Sequence, residues 1–372
     1  MSMEDIPTEL VVEILLRLPW TSRRRVRLVC RSWRDLVHQR TTEMQQCRDA
    51  VPLVATTESA YVLDDQDPET GIPRPRDLWA GHTDAYKRMQ VVGVCNGVLC
   101  LCDDAKPGGA ITLVNPATGD TLALPPIPLH GLFRRHNSRR SERSWHQAYS
   151  FGYHHGTGQY KVVHVPCFFK TKETVQVFTV GEASWREVPA PNMKCRLDAG
   201  VVSVNGASYW VTEGSQEKIM SFDLKSERMK PTKPLPPVLS GTPVGHLTEV
   251  HRRLSFVVVD NYAVKVWILE STGKEQTWIY QYILIVHYPS LGPKQQLTRP
   301  NFILGEHVLI VGGQGRKLYR YLHKPVNYET RSECKAVHNC FQSVVVPDIR
   351  GHIYGTFAYI KTTEVLSVYR LW

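Results

Sequence analysis

The chain has 372 residues, 42% hydrophobic and 22% charged, with a formal net charge of +10. That length exceeds one ordinary domain of about 100–200 residues and suffices to bury a core without a metal or disulfide staple. No apolar run approaches the ~20 residues of a membrane span, and Glu4, Asp5, Glu9 and Glu13 interrupt the first twenty positions where a signal peptide would be apolar. The expectation is therefore an intracellular chain, cytoplasmic and/or nuclear, with no membrane contact. Nine cysteines without an export signal read as reduced thiols. Cys95, Cys100 and Cys102 form no CxxC pair, so neither a metal nor a cofactor is expected.

From Pro7 to Leu18 the chain reads as an amphipathic helix, with Leu10, Val11, Ile14, Leu15 and Leu18 on one stripe. Pro7 suits the first turn, Glu9 complements the positive end of the helix dipole, and Pro19 stops the helix. A second helical pattern follows from Ser22, with Val26, Val29, Trp33 and Val37 spaced by three or four. Burying one such side chain is worth about 1.5–3 kcal/mol, and a forty-residue unit cannot hide all of them by itself. An exposed apolar helix pair of this kind calls for a partner surface.

Ile6-Pro7, Glu13-Ile14-Leu15, Arg17-Leu18-Pro19 and Val29-Cys30-Arg31-Ser32-Trp33-Arg34 together resemble the F-box, over residues 5–40. The resemblance implies docking on a Skp-family adaptor and, through it, on a cullin. It assigns Ile6, Pro7, Ile14, Leu15, Leu18 and Pro19 to the adaptor-facing surface, and Val29, Cys30 and Trp33 to the core of the small helical unit. Arg23-Arg24 departs from the family pattern, which usually has an apolar pair there; arginine stems can still cover apolar surface.

After residue 50 the periodicity becomes strand-like: short runs rich in Val, Ile, Tyr, Phe and Trp, separated by Gly, Pro, Asn and Asp turns. Strand–turn–strand units recur, and corresponding strands starting at Val175, Ile219 and Val264 are spaced 44 and 45 residues apart. Ile111 and Leu318 begin less regular copies. Periods of about 40–50 residues mark a β-propeller. The span 51–372 then predicts six or seven blades, with a pair of β-sandwiches as the alternative.

Gly93–Cys100, Asn115-Pro116-Ala117-Thr118-Gly119, Ser150-Phe151-Gly152-Tyr153 and Val204-Asn205-Gly206-Ala207-Ser208-Tyr209-Trp210 resemble the plant F-box-associated domain. That resemblance implies a kelch-like propeller serving as a substrate receptor. The fold expected is thus a small all-α F-box at 1–45 followed by a large all-β domain at 51–372.

No catalytic constellation is legible, and an enzyme is not expected. Gly312-Gly313-Gln314-Gly315-Arg316-Lys317 lacks phosphate-loop spacing and reads as a β-turn, and His154-His155 reads as a solvated turn. The segment 128–148 carries Arg134, Arg135, Arg139, Arg140 and Arg143 against Glu142, with Trp145 beside them. It is a candidate docking loop for an acidic protein. The alternative function is a basic nucleic-acid-binding protein using Arg134–Arg143. The ordered N-terminal signatures favour the first reading: a non-catalytic subunit of a ubiquitin ligase that holds an unknown protein substrate.

Overall fold

The structure is a computed structural model. It describes residues 7–17, 26, 29, 30, 33 and 50–372, except 70, 81–85, 87–88, 129–143, 155, 166–173, 191–193, 215–216, 237–244, 251, 261–262, 273–274, 287–297, 305–306, 313–316, 327–335, 363, 365 and 370–372. A helix, α1, spans Thr8–Arg17, and Val26 and Trp33 are also helical. Between them Val29 lies in a turn and Cys30 is irregular, so the second helical pattern is interrupted there. The remaining residues of the expected all-α unit lie outside the described residues.

From residue 51 the chain is built of strands. The first sheet holds β1 (Val51–Thr56), β2 (Ala60–Gln66) and β3 (Pro73–Asp77). The second holds β4 (Met89–Cys95), β5 (Val98–Asp103), β6 (Ala110–Val114) and β7 (Thr121–Ala123). The third holds β8 (Tyr149–His154), β9 (Gln159–His164), β10 (Thr174–Thr179) and β11 (Arg186–Pro189). The fourth holds β12 (Val202–Val204), β13 (Ala207–Val211), β14 (Lys218–Asp223) and β15 (Arg228–Pro234). The fifth has eight strands: β16 (Gly245–Val250), β17 (Arg253–Asp260), β18 (Ala263–Thr272), β19 (Glu275–Val286), β20 (Thr298–Leu304), β21 (His307–Gly312), β22 (Lys317–Val326) and β23 (Ala336–Val346). The last strand, β24 (Ile353–Tyr359), returns to the first sheet and pairs antiparallel with β1, from Val51↔Tyr359 to Thr56↔Ile353.

Closure follows from that pairing. Strands β24, β4, β8, β12, β16 and β20 touch in this order, and β20 touches β24 again, so the first strand of each run lines a ring. The apolar core lies between the faces of neighbouring sheets. One cluster joins Leu53 and Val62 of the first sheet to Leu99 and Leu101 of the second; another joins Cys100 and Leu113 of the second to Phe151 and Tyr160 of the third. The next two join Val163 and Val175 to Trp210 and Phe222, and Val211 and Ile219 to Leu254 and Phe256. A fifth returns from Leu309 and Leu318 to Val54 and Tyr61. This is the arrangement of a β-propeller, in which radial repetition leaves only short edges.

The sheets number five, which corrects the expected six or seven blades. Dividing the chain by its period assigns every repeat a separate sheet. Here β19 and β23 pair in parallel, from Tyr282↔Ala336 to Val286↔Cys340, and fuse eight strands into one sheet. The pairing satisfies two outer edges at once. Other outer strands are blunted instead by proline and charge, as in Pro-Arg-Pro-Arg-Asp of β3 and Arg-Met-Lys-Pro-Thr-Lys-Pro of β15.

The repeat read from spacing is structural. Ile111, Val175, Ile219, Val264 and Leu318 fall in β6, β10, β14, β18 and β22, the third strand of each run. The first and second strands of two runs are joined by Asn-Gly turns, Asn96-Gly97 and Asn205-Gly206, all four residues with positive φ. Such two-residue turns match the twist of the flanking strands.

Candidate functional site

The N-terminal helix starts at Pro7, whose carbonyl accepts the Leu10 and Val11 amides at 3.0 and 3.2 Å. Glu9 sits in the first turn, where a carboxylate is favoured by the unpaired amides. The helix then divides its apolar residues. Val11 is buried, whereas Leu10 and Ile14, one turn apart, are 51% and 52% exposed. Together with Val29 and Val345 they are the exposed large hydrophobics among the described residues, so three of the four precede the propeller.

Of the residues assigned to an adaptor surface, Pro7 and Ile14 are exposed. Leu15 lies in α1, with its side chain outside the described residues, as are Ile6, Leu18 and Pro19 altogether. Val29 and Cys30, assigned to the helical core, are exposed; Trp33 is half-buried, and its amide donates to the Cys30 sulfur at 3.5 Å. Arg134, Arg135, Arg139, Arg140 and Arg143 lie outside the described residues. Trp145 must be withdrawn from the docking loop. It is 4% exposed and packs among Tyr149, Cys102 and Ile127, because the short 3-10 turn Trp145–Ala148 that enters β8 turns its apolar face inward.

The phrases that resemble the F-box-associated domain build joints between parts of the chain. Asn115 is fully buried; its Oδ1 accepts the Ala117 amide at 3.0 Å and shapes the Asn-Pro-Ala-Thr-Gly turn. Its Nδ2 donates to the carbonyls of Thr362 and Glu364 at 3.2 and 2.7 Å. A Cβ at Gly97 would overlap the Ile360 carbonyl and Thr362, and one at Gly152 would crowd Ser203. Ser150 donates to Ser208 at 2.9 Å, and Ser208 shares a 2.8 Å bond with Ser203, so a chain of hydroxyls crosses from the third sheet to the fourth.

A charged pin completes the same joint. Lys161, buried on β9, and Arg186 on β11 both bond the Glu227 carboxylate of the fourth sheet, with Arg186 Nε at 2.8 Å from Oε2. Burial alone would raise the Glu227 pKa, but hydrogen bonds from Arg186 and Lys161 outweigh it and hold the carboxyl below its usual range. Glu227 adopts φ +51° at a turn position where Gly119 sits in the second sheet at +75°. Nothing in the spacing of Lys161, Arg186 and Glu227 announces this cluster.

Cys102, Asp104 and His146 also gather, but in an order unsuited to a thiol nucleophile. The Cys102 thiol donates to Asp104 Oδ1 at 3.5 Å, and His146 Nδ1 lies 2.6 Å from Asp104 Oδ2. The carboxylate thus sits between thiol and imidazole. Burial, reinforced by Asp104, pushes the Cys102 thiol up, away from a reactive thiolate. The His146 amide also donates to Asp104, at 2.9 Å, so this group fastens the turn that leads into β8.

The F-box associated beta propeller domain family matches residues 72–302, and the F-box-like family matches residues 3–42. The chain belongs to the F-box associated β-propeller family. The F-box protein At3g07870 of Arabidopsis thaliana is 26% identical over 341 residues, covering 81% of this chain and 77% of its own length. The F-box/LRR-repeat protein At2g43260 of the same plant is 24% identical over 366 residues, covering 93% and 82%. Among solved structures, a chain of the nidogen/laminin complex is similar with a TM-score of 0.45 at 11% identity, covering 84% of this chain and 99% of its own. An F-box-like segment thus precedes the F-box-associated propeller in this chain.

Proposed function

We propose that the chain is the substrate-recognition subunit of an SCF ubiquitin ligase. The F-box docks on a Skp-family adaptor and thereby joins a cullin, and the propeller holds a target protein. The receptor works without chemistry of its own, by raising the effective concentration of the target beside the conjugating enzyme. This role belongs inside the cell. The basic stretch Arg134–Arg143 is proposed as a docking element for an acidic protein partner, on its sequence charge.

One observation carries the adaptor reading: Leu10 and Ile14 stand half-exposed on α1, whereas among the described propeller residues Val345 alone is a large hydrophobic exposed to this degree. Covering two half-exposed aliphatic side chains is worth roughly 1–1.5 kcal/mol each, enough to make them anchors. The test is capture of a purified Skp-family adaptor by the full chain and by Leu10→Asp/Ile14→Asp. Both residues are exposed, so the variant keeps its fold and loses the adaptor by at least about a hundredfold in affinity. Undiminished binding by the variant, or no binding by the folded wild type, overturns the reading.

A further inference from the structure

Beyond β24 the described residues stay on the propeller. The described residues from Ile360 to Tyr369 cross the Cys95–Val98 and Asn115–Asp120 turns of the second sheet and reach the third. The contacts are of the kind that bind an extended peptide. Asn115 Nδ2 grips two main-chain carbonyls, those of Thr362 and Glu364, and Asp120 Oδ2 accepts the Leu366 amide at 3.2 Å. Gly97 leaves room for the backbone to pass, since any side chain there would strike the Ile360 carbonyl. Leu366 is an anchor: it is fully buried in the cluster that contains Phe151, Tyr160 and Trp185. Tyr369 meets Tyr160 edge-on at 6.3 Å, and its hydroxyl donates to Glu364 at 2.8 Å.

Two features mark these turns as a receptor for the segment. Asn115 is fully buried, and its amide donors are directed at the segment's carbonyls; without them a buried amide would stand unsatisfied, which is costly. Main-chain hydrogen bonds combined with a side-chain pocket are also how peptide-binding domains recognise extended ligands. The segment starts at Tyr359, paired with Val51, so it arises where the chain enters the propeller from the N-terminal unit.

We propose that the two turns and the Leu366 pocket form a peptide-binding site, occupied in cis by the C-terminal segment as a strap. The ligand class is a peptide that offers two main-chain carbonyls to Asn115 and an aliphatic anchor two residues beyond the second of them, followed by a short 3-10 turn. A peptide of this class offered in trans competes with the strap once the strap is weakened. The proposal is independent of adaptor docking.

The test uses the full chain and a labelled synthetic peptide of residues 360–372. In the wild type the strap fills the site: its Leu366 amide exchanges slowly, and the peptide does not bind. Leu366→Asp releases the strap, speeds exchange by at least about tenfold, and lets the unmodified peptide bind saturably; a peptide carrying the same substitution does not bind. Gly97→Ala obstructs the path without touching the anchor, so it also speeds strap exchange, but it blocks the peptide as well. The proposal is overturned if strap exchange is unchanged in both variants. Loss of the cooperative fold in Leu366→Asp, or a folded variant with a free strap that ignores the peptide, overturns it too.

Discussion

The third sheet, β8–β11, has two faces that solve the same packing problem differently. Toward the second sheet it presents Tyr149, Phe151, Tyr153, Tyr160 and Phe178, and Phe151 stacks on Tyr160 at 5.6 Å. Toward the fourth it presents Val163, Val165, Val175 and Val177, with Ser150 and Gly152 allowing close approach. Each face also buries one basic side chain. His164 lies on the aromatic side, 4.7 Å from the Tyr149 ring, and Lys161 on the aliphatic side. His164 can sit there neutral; Lys161 needs a counter-charge, and Glu227 reaches across from the neighbouring sheet to supply it. The aromatic joint therefore packs the third sheet's rings against Cys100 and Leu113 of the second sheet and Leu366, whereas the aliphatic joint also needs a counter-charge from a turn residue of the next sheet.

Removing that residue breaks the aliphatic joint. In Glu227→Ala, Lys161 and Arg186 lose their shared carboxylate, and the Lys161 side chain is only 4% exposed. Breaking a buried pair from one side costs about 3–5 kcal/mol, and chemical denaturation measures it. The turn backbone works the other way, because losing the left-handed glutamate for glycine relieves strain. Glu227→Gly is accordingly less damaging than Glu227→Ala. Equal stability of the two variants, close to wild type, would mean that the ion cluster contributes little.

The aromatic joint is broken by acid. Burial lowers the His164 pKa to about 4, against an ordinary 6.5, so the unfolded chain takes up this proton first. Stability contributed by keeping His164 neutral is complete above pH 6.5 and is lost as pH falls toward 4, by about 1.4 kcal/mol per pH unit. Over that window the loss amounts to roughly 3 kcal/mol. The Glu227 carboxyl, held below its usual 4.5, adds a loss that begins as pH falls through about 4.5 and grows below it. A denaturation series from pH 7.5 to 4 reads the first slope, and His164→Gln flattens it; an unchanged slope in that variant would assign the acid sensitivity elsewhere.

How much of this could be read from the sequence depends on whether the signal is local. The alternation that sends Tyr160 and Val162 to one face and Lys161 and Val163 to the other is a two-residue pattern, and the third strands recur at a nearly constant spacing. The helix expected from Pro7 to Leu18 is Thr8–Arg17, fixed by a stripe and a stop within twelve residues. The strap is different. Asn115 and its partners Thr362 and Glu364 are 247 and 249 residues apart, so the turn motif is visible while its ligand is not. Trp145 shows the same limit: among arginines it reads as a surface residue, and only the fold shows the pocket that takes it. The fusion of two strand runs through β19 and β23 is likewise a long-range pairing that no period reports.

A further joint lies one sheet on. The Asn205 side chain donates to the Arg252 carbonyl at 2.6 Å, linking the β12–β13 turn to the β16–β17 turn. Arg252 holds φ +60° at the second turn position, where the two other short turns have Gly97 and Gly206. A left-handed non-glycine residue costs roughly 1–2 kcal/mol, and glycine's greater freedom in the unfolded chain returns about half of that. Arg252→Gly keeps the carbonyl that Asn205 bonds and should stabilise the chain by about 0.5–1 kcal/mol. Thermal unfolding detects that gain. A loss instead would show that the Arg252 side chain contributes more to this joint than its backbone strain costs.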